Sequence, residues 1–205
     1  MILNMTIDGI ENHNIKKKFL ISGDSTIAAY ACRSQTIASQ LFTQNEISQG
    51  FSAQNIAVPG HTINQQLAAW NALSNKNFFD VVLVQIGLND VEQNINTVLT
   101  NYQNYINQIR SDIRPDAEIW ISCMNPAKKA YLDAGKPQAY ANWVTLNNAK
   151  MTTITGVNKR NNYHVSLLSD GNDNLAAQYN CGDDIHQNQD AADIQIDGYR
   201  AMIFQ

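Results

Sequence analysis

Apolar residues in this chain fall into two patterns: short unbroken runs, and longer stretches where they recur every three or four positions. Phe19-Leu20-Ile21 and Val81-Val82-Leu83-Val84 are runs of strand length, and the second is β-branched and nearly continuous, as in a strand buried on both faces of a parallel sheet. Residues 54–58, closed by Pro59-Gly60, residues 118–123 and residues 163–168 are predicted as three further strands. The helical period is equally plain. Ile37, Leu41, Phe42 and Ile47 predict an amphipathic helix over about 36–49, ended by Gly50. Thr62 is placed to cap a helix through Ile63, Leu67, Ala68 and Trp70. Val98, Leu99, Tyr102, Ile106, Ile109 and Ile113 mark a long helix from Ile95 that Pro115 terminates. Residues 139–154 form another, with Trp143, Leu146 and Met151 on its buried side, and residues 198–204 a short closing helix. Residues 124–137, with two prolines and a glycine, and the polar stretch 169–193 are expected to be loops. Residues 1–15 are a loose lead-in.

Five strands alternating with helices predict an α/β fold, a five-stranded parallel sheet between two helical layers with right-handed crossovers. In such sheets the functional crevice lies outside the carboxyl ends of the strands. With 205 residues, 44% hydrophobic and 16% charged, the chain is expected to form one domain over 1–205 around one core. A net charge of −4, with no basic cluster beyond Lys16-Lys17-Lys18, argues against nucleic acid as a partner. Cys32, Cys123 and Cys181 cannot all pair and show no zinc-like spacing, so they are read as free thiols. No basic start followed by an apolar core marks a cleavable signal peptide, and no run approaches the roughly 20 apolar residues of a membrane span. A soluble protein is expected, either cytoplasmic or exported within a larger assembly.

Several strand ends carry residues capable of chemistry. The first run stops at Gly23-Asp24-Ser25, where a tight turn into the first turn of a helix would place the Ser25 hydroxyl beside unpaired N–H groups and the positive end of a helix dipole. A serine nucleophile needs a base, and the base needs an orienting acid. Of His13, His61, His164 and His186, only His186 has a carboxylate at helpful spacing in a polar loop after the last strand, in Asp183-Asp184-Ile185-His186. One turn there folds Asp183 back onto the imidazole while Asp184 points elsewhere. Gly60, with no Cβ, can offer its N–H at close approach, and Asn89 its amide. With the Ser25 N–H these make three donors for an oxyanion. Asp170-Gly171-Asn172-Asp173-Asn174 is oxygen-rich but lacks the ligand ladder of a calcium loop and is read as a turn. His61 is a candidate crevice residue, and Trp143 a candidate border of the substrate site.

Taken together, these blocks resemble the SGNH or GDSL hydrolase family. Gly23-Asp24-Ser25 is similar to its first block, Asn55 to Gly60 to its second, Gly87-Leu88-Asn89-Asp90 to its third and Asp183 to His186 to its DxxH fifth block. The resemblance implies a flavodoxin-like three-layer α/β/α sandwich and a serine esterase. Its triad would be Ser25, Asp183 and His186, its oxyanion hole Ser25, Gly60 and Asn89, and no metal or organic cofactor would be required. Thr26 stands where the family has Leu, Ala57 and Asp184 where it often has Gly, and Gln187 where it often has Pro. None of these departures removes a catalytic group, although Asp184 bears on the shape and charge of the rim. The expected substrate is a small-molecule or glycan ester, with a carbohydrate O-acetyl ester favoured because no long apolar lid is present. The alternatives are a lipid-directed esterase or thioesterase with an acyl groove in residues 124–137, and an inert glycan-binding module of the same fold. The sequence leaves the oligomeric state open.

Overall fold

The computed structural model describes residues 16–134, 136–172 and 174–204, so the predicted lead-in lies outside it. In chain order the elements are β1 (Lys18–Gly23), α1 (Ile37–Gln40), α2 (Gln44–Ser48), β2 (Ser52–Asn55), α3 (Ile63–Asn71), β3 (Val81–Gln85), α4 (Ile95–Asp112), β4 (Glu118–Ser122), α5 (Lys129–Asp133), α6 (Ala139–Thr152), β5 (Lys159–Asn161), α7 (Tyr163–Leu168) and α8 (Gln189–Ile203). The five strands form one parallel sheet in the order β2-β1-β3-β4-β5, the flavodoxin-like arrangement.

Alternation along the strands builds the two outer layers. Phe19, Ile21, Val81, Leu83 and Trp120 pack on one face with Ile37 of α1 and Ala192, Ile196 and Tyr199 of α8. Leu20, Val82, Val84, Ile119 and Ile121 pack on the other with Trp70 of α3, Tyr102 and Ile106 of α4, and Trp143 and Leu146 of α6. All five residues of β3 are buried. The chain moves from β1 out to β2 and then returns past β1 to β3. The switch point where the direction reverses is therefore at the carboxyl ends of β1 and β3, where α/β sheets bind their ligands.

Four element predictions are corrected. The expected helix over 36–49 is two short helices, because Thr43 opens a second one with a capping box: Thr43 accepts from the Glu46 N–H while the Glu46 carboxylate accepts from the Thr43 N–H. The break leaves Leu41 and Phe42 buried and turns Ile47 out to 46% exposure. The fifth strand is not 163–168 but the polar Lys159–Asn161 at the sheet edge. Residues 163–168 are α7, in which His164 and Leu168, four apart, are buried while Tyr163 and Leu167 face out, a helical rather than a two-residue period. The closing helix begins nine residues earlier than predicted, capped by Asn188, whose side chain accepts from the Ala191 N–H at 3.2 Å. Residues 124–137 are not wholly loop, since α5 lies within them.

Candidate active site

At the end of β1, Gly23 is required by its neighbour: a Cβ there would lie 2.0 Å from the Gln85 carbonyl of β3. The chain then turns tightly. Asp24, fully buried, accepts from the Thr26 N–H at 3.0 Å and the Thr26 hydroxyl at 2.7 Å, and its carbonyl accepts from the Ala28 N–H at 3.1 Å. The expected helix does not follow, because the buried guanidinium of Arg33 donates to the Ser25 and Ala28 carbonyls at 2.9 and 2.8 Å. A continuing helix would need those acceptors. Positive charge beneath Ser25 thus comes from Arg33 rather than from a helix dipole. Burial lowers the Arg33 pKa to about 10, partly offset by Tyr199 and Asp24.

The second component is the loop over 180–187, closed as a small hairpin by an antiparallel bridge between Asn180 and Gln187 and by the Cys181 N–H donating to the His186 carbonyl at 2.8 Å. Asp184 sits at φ +65, which accounts for the glycine often found there in the family, and Asp tolerates this backbone better than most residues. Its carboxylate accepts from the Asn180 amide at 3.0 Å and pairs with Lys128 at 3.1 Å, so the departure adds a tie at the rim. Within this loop Asp183 Oδ1 accepts from the N–H groups of Ile185 and His186, and Oδ2 lies 2.6 Å from His186 Nδ1. Burial tends to raise the Asp183 pKa, but the His186 N–H, its imidazole and the Ile185 N–H outweigh it and hold the carboxyl below its ordinary value. On the far side of the ring, His186 Nε2 is 2.9 Å from Ser25 Oγ. Residues 161 positions apart are thereby joined in one Asp–His–Ser hydrogen-bonded chain.

The two donor-bearing turns lie alongside. Past β2 the chain stays bonded to the end of β1, with the Ile56 N–H on the Ile21 carbonyl and the Val58 N–H on the Gly23 carbonyl at 3.1 Å. That path leads to Gly60, which is exposed and at φ +80. The Asn89 amide donates one N–H to the His61 carbonyl at 3.0 Å, which ties the third-block turn to the Gly60 turn and leaves the second amide hydrogen for another acceptor. Asp90, buried beneath them, accepts from the Ile63 N–H at 3.0 Å and from Gln93, and its burial raises its pKa to about 6 against those hydrogen bonds. A cavity of about 320 Å³ opens beside Asn89, bounded by Glu92, Tyr131, Leu132 and Ile185.

The family model of GDSL-like lipases/acylhydrolases matches residues 21–194. The chain belongs to this family. Among solved structures, the GDSL fold seen here is similar to a lipase/acylhydrolase from Enterococcus faecalis (17% identity, TM-score 0.69, covering 91% of this chain and 95% of that one). It is also similar to the acetylxylan esterase Axe2 from Geobacillus stearothermophilus (14%, 0.66, 91% and 94%) and to the psychrotrophic esterase EstA from a Pseudoalteromonas species (17%, 0.65, 92% and 100%). Curated proteins give no sequence match.

Other departures of this GDSL chain prove to be partners. Thr26 and Gln187 meet: the Gln187 amide, fully buried, donates to the Thr26 carbonyl and, at 3.0 Å, to Gln195 Oε1. Gln195 donates to Gln85 Oε1 at 2.7 Å, and Gln85 Nε2 to Thr26 Oγ1 at 3.1 Å. A buried amide network thus joins the 180–187 loop to the turn at Ser25, and the scattered glutamines gave no local signal of it.

The free-thiol reading is corrected for two cysteines. Cys32 and Cys181 form a disulfide across 149 residues, and Cys123 is free and buried. That separation offers no spacing motif, so only the folded chain reveals the pair. Among the remaining histidines, His61 turns its ring to Gln66 at 2.9 Å, and His164 is buried with Nε2 on the Cys123 carbonyl and a pKa lowered to about 4 by that burial. Trp70, Trp120 and Trp143 are core residues; Trp143 donates to the Asn125 carbonyl at 3.1 Å. Asp170 accepts from the N–H groups of Asn172 and Asn174, which is an Asx-type turn. Among the described residues no helix is long and apolar enough to cross a membrane.

Proposed function

We propose that this GDSL hydrolase is a serine esterase whose nucleophile is Ser25, with His186 as base and then acid and Asp183 as its orienting partner. The observation that carries the reading is the hydrogen-bonded chain from Asp183 through His186 to Ser25 Oγ, 2.6 and 2.9 Å long, at the switch point of the sheet. As Ser25 Oγ attacks the ester carbonyl, its proton passes to His186 Nε2 and negative charge collects on the carbonyl oxygen. The Ser25 and Gly60 N–H groups and the second Asn89 amide hydrogen are the donors for that charge. Collapse of the intermediate breaks the ester bond, and His186 returns the proton to the departing alcohol. Water then repeats the sequence on the acyl-Ser25, releasing the acid and the free hydroxyl.

For the substrate we infer an O-acetyl ester on a carbohydrate. Within residues 124–134, Met124 and Ala127 are buried in the core and Lys128 is tied to Asp184, which leaves Tyr131 and Leu132 as the part of the segment that borders the cavity beside Asn89. The cavity beside Asn89 mixes Glu92 and the Tyr131 hydroxyl with short apolar walls, which suits a small acyl group on a hydroxylated partner. Acetate release from a panel of acetylated glycans tests the reading: turnover by the wild type and none by Ser25→Ala is expected. Equal release by both would remove Ser25 from the mechanism. Activity on p-nitrophenyl esters that rises beyond butyrate would replace the acetyl-ester assignment with a lipid-directed one.

A further inference from the structure

The segment after the nucleophile turn touches the catalytic pair in three ways that the proposed chemistry does not use. Tyr30 lays its ring against His186, centroids 4.7 Å apart and planes tilted by 59°, while the other side of the tyrosine is in solvent. Ala31 holds a left-handed backbone, φ +55, that a non-glycine residue adopts at a cost, so the surrounding structure must impose it. Cys32 is bonded to Cys181, whose N–H donates to the carbonyl of His186 itself, and Arg33, the next residue, donates to the carbonyl of Ser25. A closed circuit results. It runs from Ser25 through Arg33 and Cys32 across the sulfur bridge to Cys181, through one hydrogen bond to His186, and back by the 2.9 Å contact to Ser25 Oγ.

We infer that Tyr30 and the Cys32–Cys181 bond are positioning residues for the catalytic pair. The bond sets the distance between the nucleophile turn and the base loop, and Tyr30, drawn over by the forced turn at Ala31, fixes the plane of the imidazole and shields one face of it from water. Packing against a face limits ring rotation, and an aromatic ring there also favours the cation formed when His186 takes the proton. Neither residue contacts the ester carbonyl, so the effect falls on turnover rather than on substrate binding. The inference rests on the serine-esterase reading above.

The test compares the wild type, Tyr30→Phe, Tyr30→Leu and the double variant Cys32→Ser/Cys181→Ser, using p-nitrophenyl acetate turnover and the rate of inactivation by a fluorophosphonate. Tyr30→Leu should lose about three- to tenfold in kcat with KM within about twofold, and Tyr30→Phe, which keeps the ring, should stay near wild type. The double variant should lose about tenfold or more in kcat, and in both damaged variants the inactivation rate should fall by a similar factor. Treating the wild type with a dithiol, which passes two electrons and two protons to the bridge and itself closes to a cyclic disulfide, should reproduce the double variant's loss. Tyr30 is a surface side chain, so Tyr30→Leu remains informative if removing the bridge unfolds the protein. Wild-type kcat in Tyr30→Leu, or in a folded double variant, overturns the inference and leaves the esterase reading standing. A wild type that neither turns over ester nor reacts with the fluorophosphonate overturns the esterase reading itself.

Discussion

Asp183→Asn is the sharpest probe of the proposed mechanism, because the surroundings of this side chain dictate how an amide would sit there. Oδ1 accepts two backbone N–H groups, at 2.8 and 3.1 Å, while Oδ2 faces His186 Nδ1 at 2.6 Å. An asparagine that keeps both backbone bonds must aim its NH2 at Nδ1, and Nδ1 must then be the unprotonated nitrogen. The proton moves to Nε2 and points at Ser25 Oγ, so the base cannot accept one. Reversing the amide restores the useful tautomer but sets NH2 against two N–H donors. At about 1 kcal/mol for each lost bond, reduced from the buried value because the Asp183 side chain is 44% exposed, this costs about 2 kcal/mol and leaves about one molecule in thirty competent. Loss of the carboxylate's charge beside the imidazolium removes a further factor of about 30 to 100. A drop in kcat of about 10³ is therefore expected. The thermal midpoint should move by less than about 2 °C, since this partly exposed loop carries little of the core. Turnover of p-nitrophenyl acetate and circular-dichroism melts measure the two quantities. A folded Asp183→Asn enzyme within tenfold of wild-type kcat would refute the assignment of Asp183 as the orienting acid.

Three further outcomes are expected. Asn89→Ala should lower kcat about a hundredfold with little change in KM, because it removes a proposed oxyanion donor and not a ground-state contact; unchanged steady-state kinetics would exclude Asn89 from that role. Asp90→Asn should be more stable than wild type above about pH 6 and equal to it near pH 4. Burial raises the folded pKa from 3.8 to about 6, so the native state binds the extra proton and wild-type stability falls as pH climbs through that window; urea melts at both pH values read the difference, and parallel curves would contradict it. Glu46→Gln should cost about 1–2 kcal/mol at pH 7 and nothing near pH 2. The Arg200 hydrogen bonds, chiefly, lower the Glu46 pKa from 4.5 to about 2, and the stabilisation they bring is present above about pH 4.5 and lost on acidification. The same melts, run across that acid range, would show any cost that persists at pH 2.

Much of the architecture was legible because burial imposes it. Val81 to Val84 could only be a central strand, and the 3.6-residue period of α4 was visible from Ile95 onward. The elements that misled were those held by polar groups. β5, Lys159–Asn161, carries no apolar run; it stands because the Asn158 side chain accepts from the Ile119 N–H at 2.8 Å while the Asn158 N–H donates back to the Ile119 carbonyl. The candidate site residues stand in strand-end blocks, and the fold brings Ser25, Asp183 and His186 into contact. What supports them was hidden for a different reason. Gln187, Gln195 and Tyr30 act through partners far off in sequence, and Arg33, though only eight residues from Ser25, belongs to no motif that marks it.

The sulfur bridge between residues 32 and 181 also closes a covalent ring that contains four of the five strands. A protease that nicks any single surface loop within that ring produces two fragments that cannot diffuse apart. One would carry the serine and the other the histidine, still leashed together, so this enzyme should outlast its own first cleavage for as long as the bridge remains oxidised.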